Sequence, residues 1–134
     1  MMIYLDANFF VYALLDTTTR GRTASRIQES IVEGKVGSVT SALALDELMW
    51  VLVKNKQQEL VERAIEDIYA TPNLKVSEAG PGIPILALDF LDEYGPKPRD
   101  AFHAAIMRNS GLREIVSDDP DFDKIKWVKR ISLK

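Results

Sequence analysis

Apolar residues fall along this chain in short runs whose period keeps changing. Met2-Ile3-Tyr4-Leu5 is an unbroken apolar run, which predicts a strand buried on both faces in a parallel sheet. Phe9 to Leu15 is a helix-length apolar run, with Asn8 placed to cap it. Residues 17–22, polar and holding Gly21, predict a link, and a helix over 23–33 then stops at Gly34. Residues 36–39 predict a second strand, after which Thr40-Ser41 caps a helix over 42–54. That helix is apolar nearly all round, which predicts burial, and only Asp46 and Glu47 interrupt it. Residues 57–70 predict an amphipathic helix, with Leu60, Val61, Ala64, Ile65, Ile68 and Tyr69 on one face. A third strand is expected over 74–76, a loop over 80–84 and a short helix over 85–94. Pro96 and Pro98 lead into a helix over 99–110 that Gly111 ends, and strands over 114–117 and 127–131 follow. Strands alternating with helices, without repeats or linkers, predict an α/β fold. The expectation is a three-layer α/β/α sandwich around a short parallel sheet, one domain over 1–134.

Composition narrows the setting more than the fold. The 134 residues include no cysteine, so disulfides and cysteine metal sites are excluded and a reducing cytoplasm is expected. No apolar stretch approaches the ~20 residues of a membrane span, so no membrane partner is expected. The apolar start is interrupted by Asp6 and has no basic leader, so it is not expected to be a signal peptide. A net charge of -3 argues against a protein that coats nucleic acid by bulk charge. It is compatible with an acidic pocket neutralised by divalent cations.

The acids give that pocket candidate members. Asp6 ends the first strand, and Asp118, Asp119 and Asp121 follow the strand that ends at Ser117. Open α/β sheets bind ligands beyond the carboxyl ends of their strands. Asp100 sits in the first turn of its helix, where the dipole alone favours an acid. Glu47 has Leu43, Ala44, Trp50 and Val51 as helical neighbours, and burying its carboxylate is costly unless it is paired or metal-bound. Acids converging on one edge repel unless cations lie between them. With a single histidine, zinc is disfavoured, and hard carboxylate oxygens suit Mg²⁺ or Mn²⁺. Such a site suits phosphodiester hydrolysis. Two alternatives remain: a phosphatase with Asp6 as nucleophile, for which no phosphate-binding lysine motif is present, and a non-catalytic domain that binds a cation or a partner.

Four segments carry a resemblance: Tyr4-Leu5-Asp6-Ala7-Asn8, Thr40-Ser41 followed by Asp46-Glu47, Asp100-Ala101-Phe102-His103-Ala104-Ala105, and Ser117-Asp118-Asp119-Pro120-Asp121-Phe122. In that order and at those distances the chain resembles the PIN-domain ribonucleases, especially the VapC-type toxins of toxin–antitoxin pairs. The resemblance implies a PIN-like, metal-dependent endoribonuclease acting on RNA. It implies Asp6, Glu47, Asp100 and Asp119 as catalytic, metal-binding acids, with Asp121 as a fifth. Ser117 stands where the family usually has threonine to orient the first aspartate, and Asn8 matches a hydrogen-bonding helper. Asp118 falls at a variable position and is expected to be solvated. His103, Trp50 and the Phe9-Phe10 pair are expected in the core. The resemblance also implies a small antitoxin partner and a homodimer. The two helices over 42–54 and 57–70 point towards the same dimer, because they carry more apolar surface than one small domain is expected to cover.

Overall fold

A computed structural model of the chain describes residues 1–134. Its centre is β1 (Met2–Leu5), which pairs in parallel with β2 (Gly37–Ser41) on one side and β4 (Glu114–Val116) on the other. Beyond them lie β3 (Leu74–Ser77), outside β2, and β5 (Lys129–Ile131), outside β4, also parallel. The order is therefore β3-β2-β1-β4-β5.

The pleat of β1 sends its side chains alternately to two cores. Ile3 and Leu5 pack with α1 (Ala7–Leu15), α2 (Thr19–Val32), α3 (Ala42–Lys54) and α4 (Val61–Ala70). Tyr4 packs on the other face with α5 (Ile83–Tyr94) and α6 (Pro98–Asn109). This is the expected α/β/α sandwich around a five-stranded parallel sheet. Gly34 and Gly111 take positive φ of 80° and 70° after α2 and α6, as helix-ending glycines should.

Four local expectations are corrected. Asp6, not Asn8, caps α1, which begins at Ala7 and takes Asn8 into its first turn. The supposed link over 17–22 is mostly helix, because α2 starts at Thr19. Gly21 looked like a helix breaker, but it permits close packing: a Cβ there would lie 1.8 Å from the Asp16 carbonyl oxygen. The loop ends at Gly82, with Ile83 and Pro84 opening α5, where proline needs no N–H partner. Finally, α3 is not buried all round. Ala44, Leu45, Leu48 and Leu52 face inward, while Met49, Trp50 and Val53 face outward, and Trp50 is 59% exposed. Phe9 and Phe10 are buried, as expected.

Candidate active site

The chain runs from β1 outward through β2 to β3, then returns to place β4 against the other side of β1. The carboxyl ends of β1 and β4 thus flank the point where the winding reverses, and there a crevice opens. Asp6 emerges from β1 at this point. One of its oxygens accepts from the Ala7 N–H at 2.6 Å, and the other accepts from the Ser117 hydroxyl at 2.8 Å, just beyond β4. The same Ser117 oxygen receives the Asn8 amide and the Asp119 N–H, each at 3.1 Å. One hydroxyl thus ties together three of the residues marked out in the sequence.

A cleft of about 350 Å³ opens here, lined by Asp6, Asn8, Glu47, Asp100 and Asp119, with Tyr12, Trp50 and Arg99 among its other walls. Glu47 enters from α3 and Asp100 from the first turn of α6. Asp121 lies behind Asp100 rather than in the cleft wall. Its carboxylate accepts from the Lys97 N–H at 2.9 Å and pairs with Lys124 at 2.7 Å. Asp118 turns the other way and is not a solvated bystander. It accepts from Arg20, from the Ser132 hydroxyl at 3.1 Å and from the Leu133 N–H at 2.7 Å, joining the start of α2 to the C-terminal residues. Neighbouring side chains in an extended turn point to opposite sides, so the Asp118-Asp119 pair serves two unrelated regions.

His103 is buried, as expected of a packed helix residue, but it also belongs to the site. Its Nε2 is hydrogen-bonded to Glu47 Oε1 and lies 3.9 Å from Asp6 Oδ1, while Nδ1 is 2.7 Å from the Tyr4 hydroxyl. Asp6, Glu47 and His103 each bring a ligand-type atom within 4.8 Å of the others. The signal available in the sequence was its spacing, one helical turn from Asp100.

Charge within the cleft is uneven. Burial raises the Asp6 carboxyl above its usual range, partly opposed by His103 and the Ser117 hydrogen bond. Asp100 is pushed up to about 7, first by burial, then by its hydrogen bond to Asp121 and by the charges of Asp119, Asp121 and Asp6. Asp121 falls to about 2 because Lys124 and the Lys97 N–H stabilise its anion, so Asp100 holds the proton of that pair. Burial alone would depress the His103 imidazole, but the Glu47 hydrogen bond and the nearby Asp6 and Glu47 charges outweigh it and raise it. Two buried oxygens, Asp100 Oδ2 and Asn8 Oδ1, have no hydrogen-bond partner. Unsatisfied buried oxygens among carboxylates, with no sulfur donor, fit a hard divalent cation.

The family model described as PIN domain matches residues 3–128, and the chain belongs to the PIN-domain family. Ribonuclease VapC13 of Mycobacterium tuberculosis is similar at 29% identity, over 98% of this chain and 100% of that protein. Two solved structures share the fold. VapC20 of the same organism, described as a sarcin-ricin loop cleaving toxin, matches with a TM-score of 0.75 at 22% identity, covering 94% of this chain and 96% of that one. VapBC2 from Rickettsia felis, bound to a DNA fragment from its promoter, also gives 0.75, at 18% identity and 98% of each chain.

Proposed function

We propose that this protein is an endoribonuclease that hydrolyses RNA phosphodiester bonds with Mg²⁺ or Mn²⁺. The observation that carries the reading is the convergence of Asp6, Glu47, Asp100 and Asp119, from four separate segments, on one cleft that also holds unpaired buried oxygens. Membership of the PIN-domain family and the ribonuclease name of the relative support it.

Asp6, Glu47, Asp100 and Asp119 would hold the cation. When bound, it supplies water activation and charge neutralisation at the scissile phosphate. The chain's own residues do the rest. Ser117 and the Ala7 N–H fix the Asp6 carboxylate, and Asn8 steadies Ser117 from the first turn of α1. Asp121, already engaged by Lys97 and Lys124, orients Asp100 from behind and completes the acidic set. Arg99, whose guanidinium lies 4.0 Å from Glu47, stands where a phosphate of the RNA can be met. Asp6 is an unfavourable covalent nucleophile, because both of its oxygens are held as acceptors.

The biological reading is the toxin of a toxin–antitoxin pair working in the cytoplasm, with a small antitoxin protein as partner. It rests on the VapC name of the relative and the VapBC complex among the structures of this fold. No helix is long and apolar enough to cross a membrane. The proposed homodimer uses α3 and α4: Met49, Trp50 and Val53 are exposed on the outer face of α3 and Tyr69 on α4, whose Ala64 and Ile68 turn inward. Sedimentation of the protein alone at tens of micromolar tests it, and a monomer there refutes it.

Labelled RNA incubated with the protein tests the activity. Cleavage with Mg²⁺ or Mn²⁺, none in EDTA and restoration by added metal is the expected result. Equal cleavage in EDTA, or none in any metal with intact single-stranded and structured RNAs, overturns the reading.

A further inference from the structure

Glu47 is the one carboxylate of the cleft that arrives from the middle of a helix, on a long side chain one turn from the exposed Trp50. What holds it is a buried chain of hydrogen bonds that starts on its own helix. The Ala44 N–H donates to Ser41 Oγ at 3.1 Å, capping α3. Ser41 Oγ lies 2.6 Å from the Tyr4 hydroxyl, which lies 2.7 Å from His103 Nδ1, and His103 Nε2 meets Glu47. The circuit leaves α3 at its cap, crosses β1 and α6, and returns to α3 at Glu47. Ser41 and Tyr4 are fully buried, and His103 is 1% exposed. Neither Ser41 nor Tyr4 lines the cleft. The imidazole is further wedged edge-on between Tyr4, at 5.6 Å between centroids, and Phe122, at 6.2 Å.

Each hydroxyl has one proton, so the chain has a direction. Ser41 Oγ accepts from Ala44 and has only the Tyr4 oxygen as a partner for its own proton, so that proton goes to Tyr4. Tyr4 then donates to Nδ1, and the ring proton of the neutral imidazole is left on Nε2, aimed at Glu47. The opposite tautomer would set a bare nitrogen against a carboxylate oxygen and leave the buried Ser41 proton without an acceptor. Protonating the ring makes Nδ1 a donor and leaves one buried hydroxyl proton without an acceptor, but it keeps Nε2–H on Glu47. Fixing a histidine tautomer through its second nitrogen is how partners behind a ligand set the ligand's orientation.

We propose that Ser41, Tyr4 and His103 are positioning residues that hold the Glu47 carboxylate in the cleft, with one oxygen on His103 and the other free for the cation. The proposal rests on the metal-dependent reading of the site, and its test separates the two. His103 is the chain's single histidine, so its ring nitrogens give unambiguous NMR signals. In metal-free wild type, a protonated Nε2 with slow solvent exchange is expected. Tyr4→Phe, which keeps the buried ring, should redistribute the tautomers or speed exchange. Calorimetric titration with Mn²⁺ in the absence of RNA reads the consequence. Affinity should fall about 10-fold in Tyr4→Phe and up to about 100-fold in His103→Ala, with partial recovery in His103→Gln, which restores a donor. Melting in EDTA shows whether each variant is folded. An unprotonated Nε2 in wild type, or folded Tyr4→Phe and His103→Ala binding Mn²⁺ as wild type does, overturns the positioning chain alone. A wild type that takes up no Mn²⁺ overturns the metal reading, and the proposed purpose of the chain with it.

Discussion

The two halves of the acidic cleft solve the problem of crowded carboxylates in different ways. On the side of β1 and α3, hydrogen bonds meet the carboxylates, although burial still raises Asp6: Asp6 accepts from Ala7 and Ser117, and Glu47 is held by His103. On the side of α6, the hydrogen bonding is incomplete. Asp100 keeps a proton up to about pH 7 and leaves one buried oxygen unpaired. The first half is tied into the fold by hydrogen bonds, whereas the second leaves a buried oxygen open, and both carry an electrostatic cost that a cation would relieve. The same chemical change, carboxylate to amide, should therefore break hydrogen bonds in the first half and not in the second, while abolishing the proposed activity in both.

Activity is the largest effect. Asp6→Asn and Asp100→Asn should each reduce RNA cleavage by more than the ~10–100-fold typical of losing a residue behind a metal ligand. Rates measured at saturating Mg²⁺ on a single labelled substrate check this. Wild-type rates in either variant would remove that residue from the machinery.

Stability in EDTA is where the halves should separate. Asparagine at position 100 can still donate to Asp121 but carries no charge. Asp100 has a folded pKa of about 7, above its ordinary 3.8. Its contribution to stability is thus full below pH ~4 and is lost as pH rises through about 7. Asp100→Asn should therefore raise the melting temperature at pH 8 and flatten the decline above pH 5. The gain is on the order of 2 kcal/mol, about half of what that pKa change corresponds to, because the cleft is open to water. His103, also raised, loses its contribution in the same direction at higher pH. Asp121, lowered to about 2, works in the other direction, contributing above pH ~4 and losing it as pH falls through 2. Asp6→Asn should gain less than Asp100→Asn, because removing a charge that burial disfavours is offset by about 1–2 kcal/mol from its broken hydrogen bonds. Its amide would present a donor to Ser117, which already receives Asn8 and Asp119. Equal shifts of the melting curve in the two variants would dissolve the contrast.

The contrast also marks what was legible in the sequence. The alternation of strands and helices gave the sandwich, because parallel strands and amphipathic helices each carry a periodicity. Asp6, Glu47, Asp100 and the acids over 118–121 stood out because a strand end, a helix first turn and an anomalous charge in an apolar helix are local signals, whereas the choice of Asp119 among its neighbours rested on the resemblance. Partners were not legible. That His103 reaches Glu47 across 56 positions, or that Asp118 turns from the cleft to Arg20, depends on side-chain directions fixed only by tertiary packing. Gly21 misled for the same reason: its role is a contact with Asp16, invisible in its neighbours.

Asp118 offers a smaller test from the segment that also carries Asp119. It lies next to Asp119 in sequence but binds Arg20, Ser132 and Leu133, away from the metal-binding candidates. Its carboxyl is held below the usual range by the Leu133 N–H and Arg20, against the opposing effect of burial. Asp118→Ala should cost about 1–2 kcal/mol, a few degrees in melting temperature, and leave the Mn²⁺-induced rise unchanged. A diminished metal response would show that the two neighbouring acids act together.

The smallest expected effect belongs to the largest side chain of the cleft wall. Removing a buried tryptophan typically costs about 3–5 kcal/mol. From its place in an apolar helix, Trp50 should have been such a residue. It is 59% exposed, however, and its noted partner is Lys54, whose ammonium sits 4.7 Å from the ring centroid. An exposed cation–π contact contributes about 0.5–1 kcal/mol. Trp50→Ala should then change monomer stability by less than about 1 kcal/mol in denaturant titrations at low protein concentration. At higher concentration the variant should diverge from wild type if the outer face of α3 forms the proposed homodimer, because wild-type stability then gains from association and the variant's does not. A loss of several kcal/mol at every concentration would return Trp50 to the core. Parallel concentration dependence in the two proteins would remove it from the dimer face, leaving the wall of the cleft as its place of action.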